Sequence, residues 1–421
     1  MRVSIGQSET RGTITAPSSK SYTIRALMCA ALAHGRSDLV HPLAADDTLA
    51  AREVLLQIGA DIKVVGDRWQ VRGGNLHAPK SELNCRESAA TLRFMTAIAA
   101  ALKGECHLTA RPSLVRRPIE PLIDALWQLG IECRQDTTNG VVTVIGGNFG
   151  GGTASLPGNV SSQYVTALLL AGPLARRGLV VRLTTPLESK PYVEMTIECL
   201  KRFGIVVSPS DDYLSYSVAS QEYATAEYVV EGDWSSVSYF LALAALTGHI
   251  RIENLNPQSL QGDRVLLEFL RKMGAEVEVD SNSVGVSKAR LTALRADLTD
   301  CIDLLPTIAS LAAMADGTSE LEGISRARLK ESNRVSAVKQ ELERAGVEVL
   351  EETNKISIVG TMPKSSVFDS HGDHRIAMAM SLIGAVAGGA VIEGAECVAK
   401  TYPEYWSTFA SVGGKVNANV Q

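Results

Sequence analysis

Six glycines set the frame of this chain. Gly59, Gly130, Gly204, Gly274, Gly346 and Gly413 recur 67 to 74 residues apart. Each follows a stretch with helical apolar periodicity: Leu49 to Ile58, Ile119 to Leu129, Tyr192 to Phe203, Asp263 to Met273, Arg334 to Ala345 and Tyr402 to Val412. After each comes a small or branched residue and then strand-like alternation, as in Ala60-Asp61-Ile62, Ile131-Glu132-Cys133 and Val347-Glu348-Val349. A glycine at a helix end supplies the left-handed cap that other residues adopt at a cost. In the first copy the strand continues to Arg72 through a hairpin turn at Gly66-Asp67. A fixed repeat is weighed before any other pattern, and one this long must hold several helices and strands. Six copies predict an α/β (α+β) chain of two domains with three repeats each.

The length of 421 residues agrees with more than one domain. The halves are expected to join near Tyr228 to Trp234, after the third repeat and the polar stretch Ser208 to Thr225. Apolar content of 45% and charged content of 21% are those of an ordinary soluble protein. A net charge of -5 gives no general attraction for nucleic acid or anionic membrane. The seven cysteines form an odd set without a C-x-x-C pair, which predicts reduced thiols in the cytoplasm. The amino terminus has no apolar signal core, and no apolar run is long enough to cross a bilayer.

Against the acidic balance, cations gather where helices are expected to begin. Pro17-Ser18-Ser19-Lys20-Ser21 precedes the helical run Tyr22 to Ala33, placing Lys20, Ser21 and Arg25 in its first turns. Helix amino ends favour anions, and Arg25 offers a planar fork for phosphate or carboxylate. Arg117-Pro118 leads into the second repeat's helix, and Ser161-Ser162-Gln163 opens the apolar run Val165 to Leu174. Ser189-Lys190-Pro191-Tyr192 is another such start, as is Lys400-Thr401-Tyr402-Pro403. Lys330-Glu331-Ser332-Asn333-Arg334 is expected to open the fifth helix, with Lys330 and Arg334 on one face. Glu331 beside them needs burial or a bound anion to act as a proton donor. Asp303 stands among apolar residues before a helix, as caps and functional bases do. His371-Gly-Asp-His374-Arg375 contains H-x-x-H, but no third ligand cluster accompanies it, so no metal is expected. Each segment alone also reads as a capped helix with solvated charges. Together they predict a cleft for small, strongly anionic substrates. Neither a P-loop nor a strand-linked G-x-G-x-x-G is present.

On Pro17-Ser-Ser-Lys20-Ser-x-x-x-Arg25, Leu43-Ala-Ala-Asp46-Asp47-Thr48, Leu92-Arg93-Phe94, Arg117-Pro118, Ser161-Ser-Gln163, Ser189-Lys-Pro-Tyr192, Lys330-Glu331-x-x-Arg334, Gly372-Asp-His-Arg375 and Lys400-Thr-Tyr-Pro, the chain resembles the 5-enolpyruvylshikimate-3-phosphate synthases over nearly its whole length. The resemblance implies a two-domain inside-out α/β barrel of the enolpyruvyl transferase type, built from six βαβαββ repeats. Residues 1–14 with 231–421 would form one domain and 15–230 the other, with the active site in the cleft between them. It implies transfer of the enolpyruvyl group of phosphoenolpyruvate to the 5-hydroxyl of shikimate 3-phosphate, through a tetrahedral intermediate and with release of phosphate, in the shikimate pathway to aromatic amino acids. Ser21, Arg25, Ser161, Ser162, Gln163, Ser189, Tyr192, Asp303 and Lys330 would hold shikimate 3-phosphate. Lys20, Ala89, Arg117, Gln163, Arg334, Arg375 and Lys400 would hold phosphoenolpyruvate. Asp303, Glu331 and Lys20 would carry the proton transfers. No metal or cofactor is implied, and members are usually monomers in the cytoplasm.

Two positions depart from the pattern. Ala89 and Ala90 stand where the family usually carries Gly-Thr, and the Ala89 methyl group is expected to weaken inhibition by glyphosate. Arg326 stands where many members carry Asn near the substrate. Two other readings are weighed. UDP-N-acetylglucosamine enolpyruvyl transferase shares the architecture but resembles the chain less at Ser161-Ser-Gln163 and Ser189-Lys-Pro-Tyr192. A non-catalytic anion-binding protein would not need both Asp303 and Glu331.

Overall fold

All six marker glycines have positive φ, from 76° at Gly130 to 105° at Gly59. Each turns the chain out of a helix and into the third strand of a repeat. Residues 1–136 and 138–419 are described by the computed structural model. Their strands form six four-stranded sheets, and every sheet has one parallel and two antiparallel pairings. In the first, Gly35–Val40 pairs parallel to Glu227–Val229 and antiparallel to Arg68–Gly73, which pairs antiparallel with Asp61–Val65. The last pairing is the expected hairpin, with Gly66 at φ 60°.

The chain divides into two units, Ser18–Glu231 and Met1–Pro17 with Gly232–Gln421. The crossings fall a few residues beyond 14/15 and 230/231. Each unit has three sheets and its own apolar core. Within a repeat the helices differ in kind. The first is apolar all round and becomes the interior: every residue of Leu305–Ala313 is buried, as are nearly all of Ala89–Ile98, Ser162–Ala171 and His374–Val386. A helix without a polar face has no stable place on a surface. The second helix is amphipathic, as in Glu120–Gln128 and Arg334–Arg344, and lies outside it.

The sixth sheet takes in the chain's first strand. Arg2–Gly6 lies between Ala390–Glu393 and Lys415–Asn419, antiparallel to both. Likewise Arg11–Thr15 pairs parallel to His249–Glu253. No helix among the described residues is long and apolar enough to cross a membrane.

Three helix starts differ from the sequence reading. The fifth helix begins at Arg334 because the Asn333 side chain caps it, accepting from the Ser336 N–H. Lys330 is therefore outside the helix in extended backbone, and the expected shared helical face with Arg334 does not form. Lys400 ends a 3₁₀ segment, Ala395–Lys400, and the last helix starts only at Tyr405, beyond Pro403. The Asp263 stretch splits into a 3₁₀ turn, Gly262–Val265, and a helix, Leu266–Lys272.

Candidate active site

In the unit made of residues 18–231, the expected residues fall into two groups, one at Lys20 and Arg25 and one around Arg93. Lys20 is the first residue of the Lys20–Leu32 helix, behind the Ser19 cap. Its Nζ lies 3.0 Å from the Asp47 carboxylate. Arg25, one turn on, is buried and braces two helices: it donates to Thr196 Oγ1 at 2.9 Å, to the Ser21 carbonyl at 2.9 Å and to the Tyr192 carbonyl at 3.1 Å. That uses three of five guanidinium N–H groups and leaves two for an anion. Burial lowers the pKa of Arg25, so a bound anion would relieve a real cost. Ser189 immediately precedes the Lys190–Arg202 helix in a left-handed conformation, φ 56°.

The second group centres on Arg93. Its guanidinium donates to Gln163 Oε1 at 2.7 Å, to Ser161 Oγ at 3.4 Å and to the Pro118 carbonyl at 2.9 Å. It lies over the Tyr164 ring, 5.1 Å from the centroid. Arg93 thus ties the Ser161-Ser162-Gln163 helix start to the peptide after Arg117. Ser161 caps that helix and Ser162 is its first residue. Arg117 lies between the short Pro112–Val115 helix and Glu120–Gln128. Ala89 is the first, buried residue of the Ala89–Ile98 helix, capped by Ser88.

In the other unit the expected residues form one network around Arg334, whose side chain is 1% exposed. Arg334 Nη1 donates to Asp303 Oδ1 at 2.6 Å, Nη2 to Glu331 Oε2 at 2.5 Å, and Nε to Asp373 Oδ2 at 2.8 Å. Lys330 Nζ is 3.1 Å from the same Asp303 oxygen, and Arg375 Nη2 is 3.4 Å from the other. Lys400 Nζ is 3.5 Å from Glu331 Oε1. Lys330 and Lys400 thus reach the network despite their altered backbone settings.

Three carboxylates here face four cations. Burial alone would raise the pKa of Asp303, but Arg375, Lys330 and Arg334 outweigh it and hold the carboxyl well below the usual range. The apolar flanks of Asp303 in sequence thus say little about its surroundings in space. Lys330 is pushed down to about 8 by burial, with Arg334 and Arg326 adding to the shift against Asp303. Arg326 is buried and donates to the Thr299 carbonyl at 2.6 Å.

Four supporting residues were missing from the sequence reading as site residues. Asp47, Arg93 and Asp373 orient Lys20, Gln163 and Arg334. Asp263 is buried, accepts from Ser235 Oγ, and is pushed up to about 7 by burial, with Asp303 adding. Asp47, Arg93 and Asp373 left a signal only as members of the motifs Leu43-Ala-Ala-Asp46-Asp47-Thr48, Leu92-Arg93-Phe94 and Gly372-Asp-His-Arg375, and Asp263 left none. His371 and His374 do not face a common point: His371 meets Glu341, and His374 Nδ1 is 3.6 Å from Asp373.

In fold the chain matches solved enolpyruvyl transferases. One is EPSP synthase from Acinetobacter baumannii, with TM-score 0.83, 25% identity and 99% of each chain covered. Another, NikO from Streptomyces tendae, has TM-score 0.80 at 16% identity, covering 99% of this chain and 98% of that one. The family model for EPSP synthase (3-phosphoshikimate 1-carboxyvinyltransferase) matches residues 5–409. A 3-phosphoshikimate 1-carboxyvinyltransferase of Dehalococcoides mccartyi is 51% identical over the full length of both chains. One from Methanothermobacter thermautotrophicus is 40% identical, covering 96% of this chain and 97% of its own. The chain belongs to the EPSP synthase family.

Proposed function

We propose that this protein transfers the enolpyruvyl group of phosphoenolpyruvate to the 5-hydroxyl of shikimate 3-phosphate, as a monomer in the cytoplasm. The observation that carries the reading is the seating of two carboxylates, Asp303 and Glu331, on one buried guanidinium among Lys330, Arg375 and Lys400. Anion binding alone would not require the acids. The free thiols support a reducing compartment.

Asp303, ionised, takes the proton of the 5-hydroxyl as its oxygen bonds to C2 of phosphoenolpyruvate. A base held so low in pKa is weak. The substrates' own negative charges take up the field of Lys330, Arg334 and Arg375, and Asp303 becomes more basic as the site fills. Glu331, protonated once the bound anions take up the charge of Arg334 and Lys400, gives that proton to C3 with the help of Lys20. The C2–O bond to phosphate then breaks, C3 returns a proton to Glu331, and the hydroxyl proton leaves with the phosphate. The cations stabilise the tetrahedral intermediate as preorganised charge. Ser21, Arg25, Ser161, Ser162, Gln163, Ser189, Tyr192 and Lys330 bind shikimate 3-phosphate. Lys20, Ala89, Arg117, Gln163, Arg334, Arg375 and Lys400 bind phosphoenolpyruvate. The reading calls for neither a metal nor an organic cofactor.

Phosphate release from phosphoenolpyruvate tests this, with shikimate 3-phosphate and with UDP-N-acetylglucosamine as acceptors. Release with the first only, lost in Asp303→Ala and Glu331→Ala, is expected. Release with the sugar nucleotide only would overturn the acceptor, and silence with both in folded protein would overturn catalysis.

A further inference from the structure

Glu341 lies on the Arg334–Arg344 helix with its side chain fully buried. A buried carboxylate is costly unless every lone pair finds a donor. Glu341 Oε1 accepts from His371 Nε2 at 2.7 Å. Oε2 accepts from the Asp369 backbone N–H at 3.1 Å and from Arg344 Nη1 at 3.1 Å. One of these donors, His371, belongs to the turn joining the strand Ser366–Asp369 to the helix His374–Val386, and another, Asp369, is the last residue of that strand. That turn holds two successive left-handed residues, His371 at φ 53° and Gly372 at φ 65°. For His371 this conformation costs about 1–2 kcal/mol and needs outside support.

The turn is therefore pinned to one helix at two points. Arg334, the first residue, holds Asp373. Glu341, two turns further on, holds His371. Asp373 caps the His374–Val386 helix by accepting from the Arg375 N–H at 3.0 Å. The placement of Arg375 and the aim of Arg334 both depend on where this turn sits.

We propose that His371 is a positioning residue for phosphoenolpyruvate, acting through Glu341 to fix the turn that sets Arg334 and Arg375. This rests on the assignment of those two arginines to phosphoenolpyruvate. The groups facing the imidazole are Glu341 and Arg344 from the helix and Asp369 from the strand. The hydrogen bond to Glu341 raises the pKa of His371 against a partial burial cost. The charged bond thus persists above the ordinary histidine range and weakens to a neutral one as pH rises further.

The test compares wild type, His371→Leu and His371→Gln, whose amide N–H replaces Nε2. Leu should raise KM for phosphoenolpyruvate about tenfold, roughly 1.4 kcal/mol, with kcat changed less than about threefold and KM for shikimate 3-phosphate unmoved. Gln should restore most of the loss and flatten the alkaline rise in KM. A lower Tm in the Leu variant with KM for phosphoenolpyruvate unchanged would overturn the proposal. The rise in Tm on adding phosphoenolpyruvate, which needs no turnover, is measured in parallel. If wild type proves inactive, the reaction assignment fails. The positioning proposal then stands or falls on whether Leu abolishes that rise and Gln returns it.

Discussion

Arg334 Nη1 and Asp303 Oδ1 meet at 2.6 Å across 31 residues of sequence, and the same guanidinium also holds Glu331 and Asp373. One side chain thus holds the two carboxylates proposed for the proton transfers and the cap of the helix that begins at His374. Removing it leaves three carboxylates crowded with fewer cations. Arg334→Gln should destabilise this unit by about 3–5 kcal/mol and lower kcat by at least about a hundredfold. Chemical denaturation and steady-state kinetics measure both. A variant that keeps wild-type kcat would contradict the arrangement.

Lys330 is pushed down to about 8 by burial and neighbouring arginines, so it loses its charge early as pH rises. The kcat/KM for shikimate 3-phosphate should fall on the alkaline side with a midpoint near this value, because kcat/KM reports the free enzyme. The limb should be absent from kcat, since the bound phosphate restores the lysine's proton. A kcat/KM flat from pH 7 to 9.5 would reject this.

Asp263 predicts the opposite kind of pH effect, on stability. Its carboxyl is raised to about 7 when folded and returns to the ordinary range when unfolded. Between those values the folded state binds more protons, so stability falls as pH rises through that window. Asp263→Asn should flatten the decline, and Tm from pH 5 to 8 should drop less in the variant than in wild type. Equal slopes would show that Asp263 does not titrate in this range.

Asp47 holds Lys20 at 3.0 Å, and its side chain is nearly buried. Asp47→Ala removes this carboxylate from the ammonium at the helix start. We expect a several-fold rise in KM for phosphoenolpyruvate. Retention of wild-type KM would mean that Lys20 is placed by its helix alone.

Ala89 offers a steric prediction. A methyl group at the first residue of this helix narrows the space in front of it. Ala89→Gly should lower the glyphosate inhibition constant by at least about tenfold, corresponding to about 1.4 kcal/mol. An unchanged constant would place the determinant elsewhere.

Much of the architecture was legible because glycine reports backbone geometry directly. Gly59 to Gly413 mark turns whose positive φ other residues adopt only at a cost, and their spacing counts the repeats. Candidate site residues were legible where they sit beside a helix start, as Lys20, Ser161 and Arg334 do. What failed to show was pairing at a distance. Asp47 reaches Lys20 across 27 residues, Arg93 reaches Gln163 across 70, and Asp373 reaches Arg334 across 39. Nothing in local periodicity records such contacts. Lys330 was misplaced for a local reason: four-residue spacing suggested one helical face, while the Asn333 cap starts the helix only at Arg334 and leaves Lys330 before it.

The strand Arg2–Gly6 has a consequence for synthesis on the ribosome. Both its neighbours, Ala390–Glu393 and Lys415–Asn419, emerge at the other end of the message. At about 5–20 residues per second, the strand waits on the order of 20–80 s for partners, its edges open. The intervening Ser18–Glu231 is complete long before then and can fold on its own contacts. The nascent chain thus carries a finished globule behind an unsatisfied leading strand, and that strand is where chaperone binding or a truncated carboxyl terminus would act first.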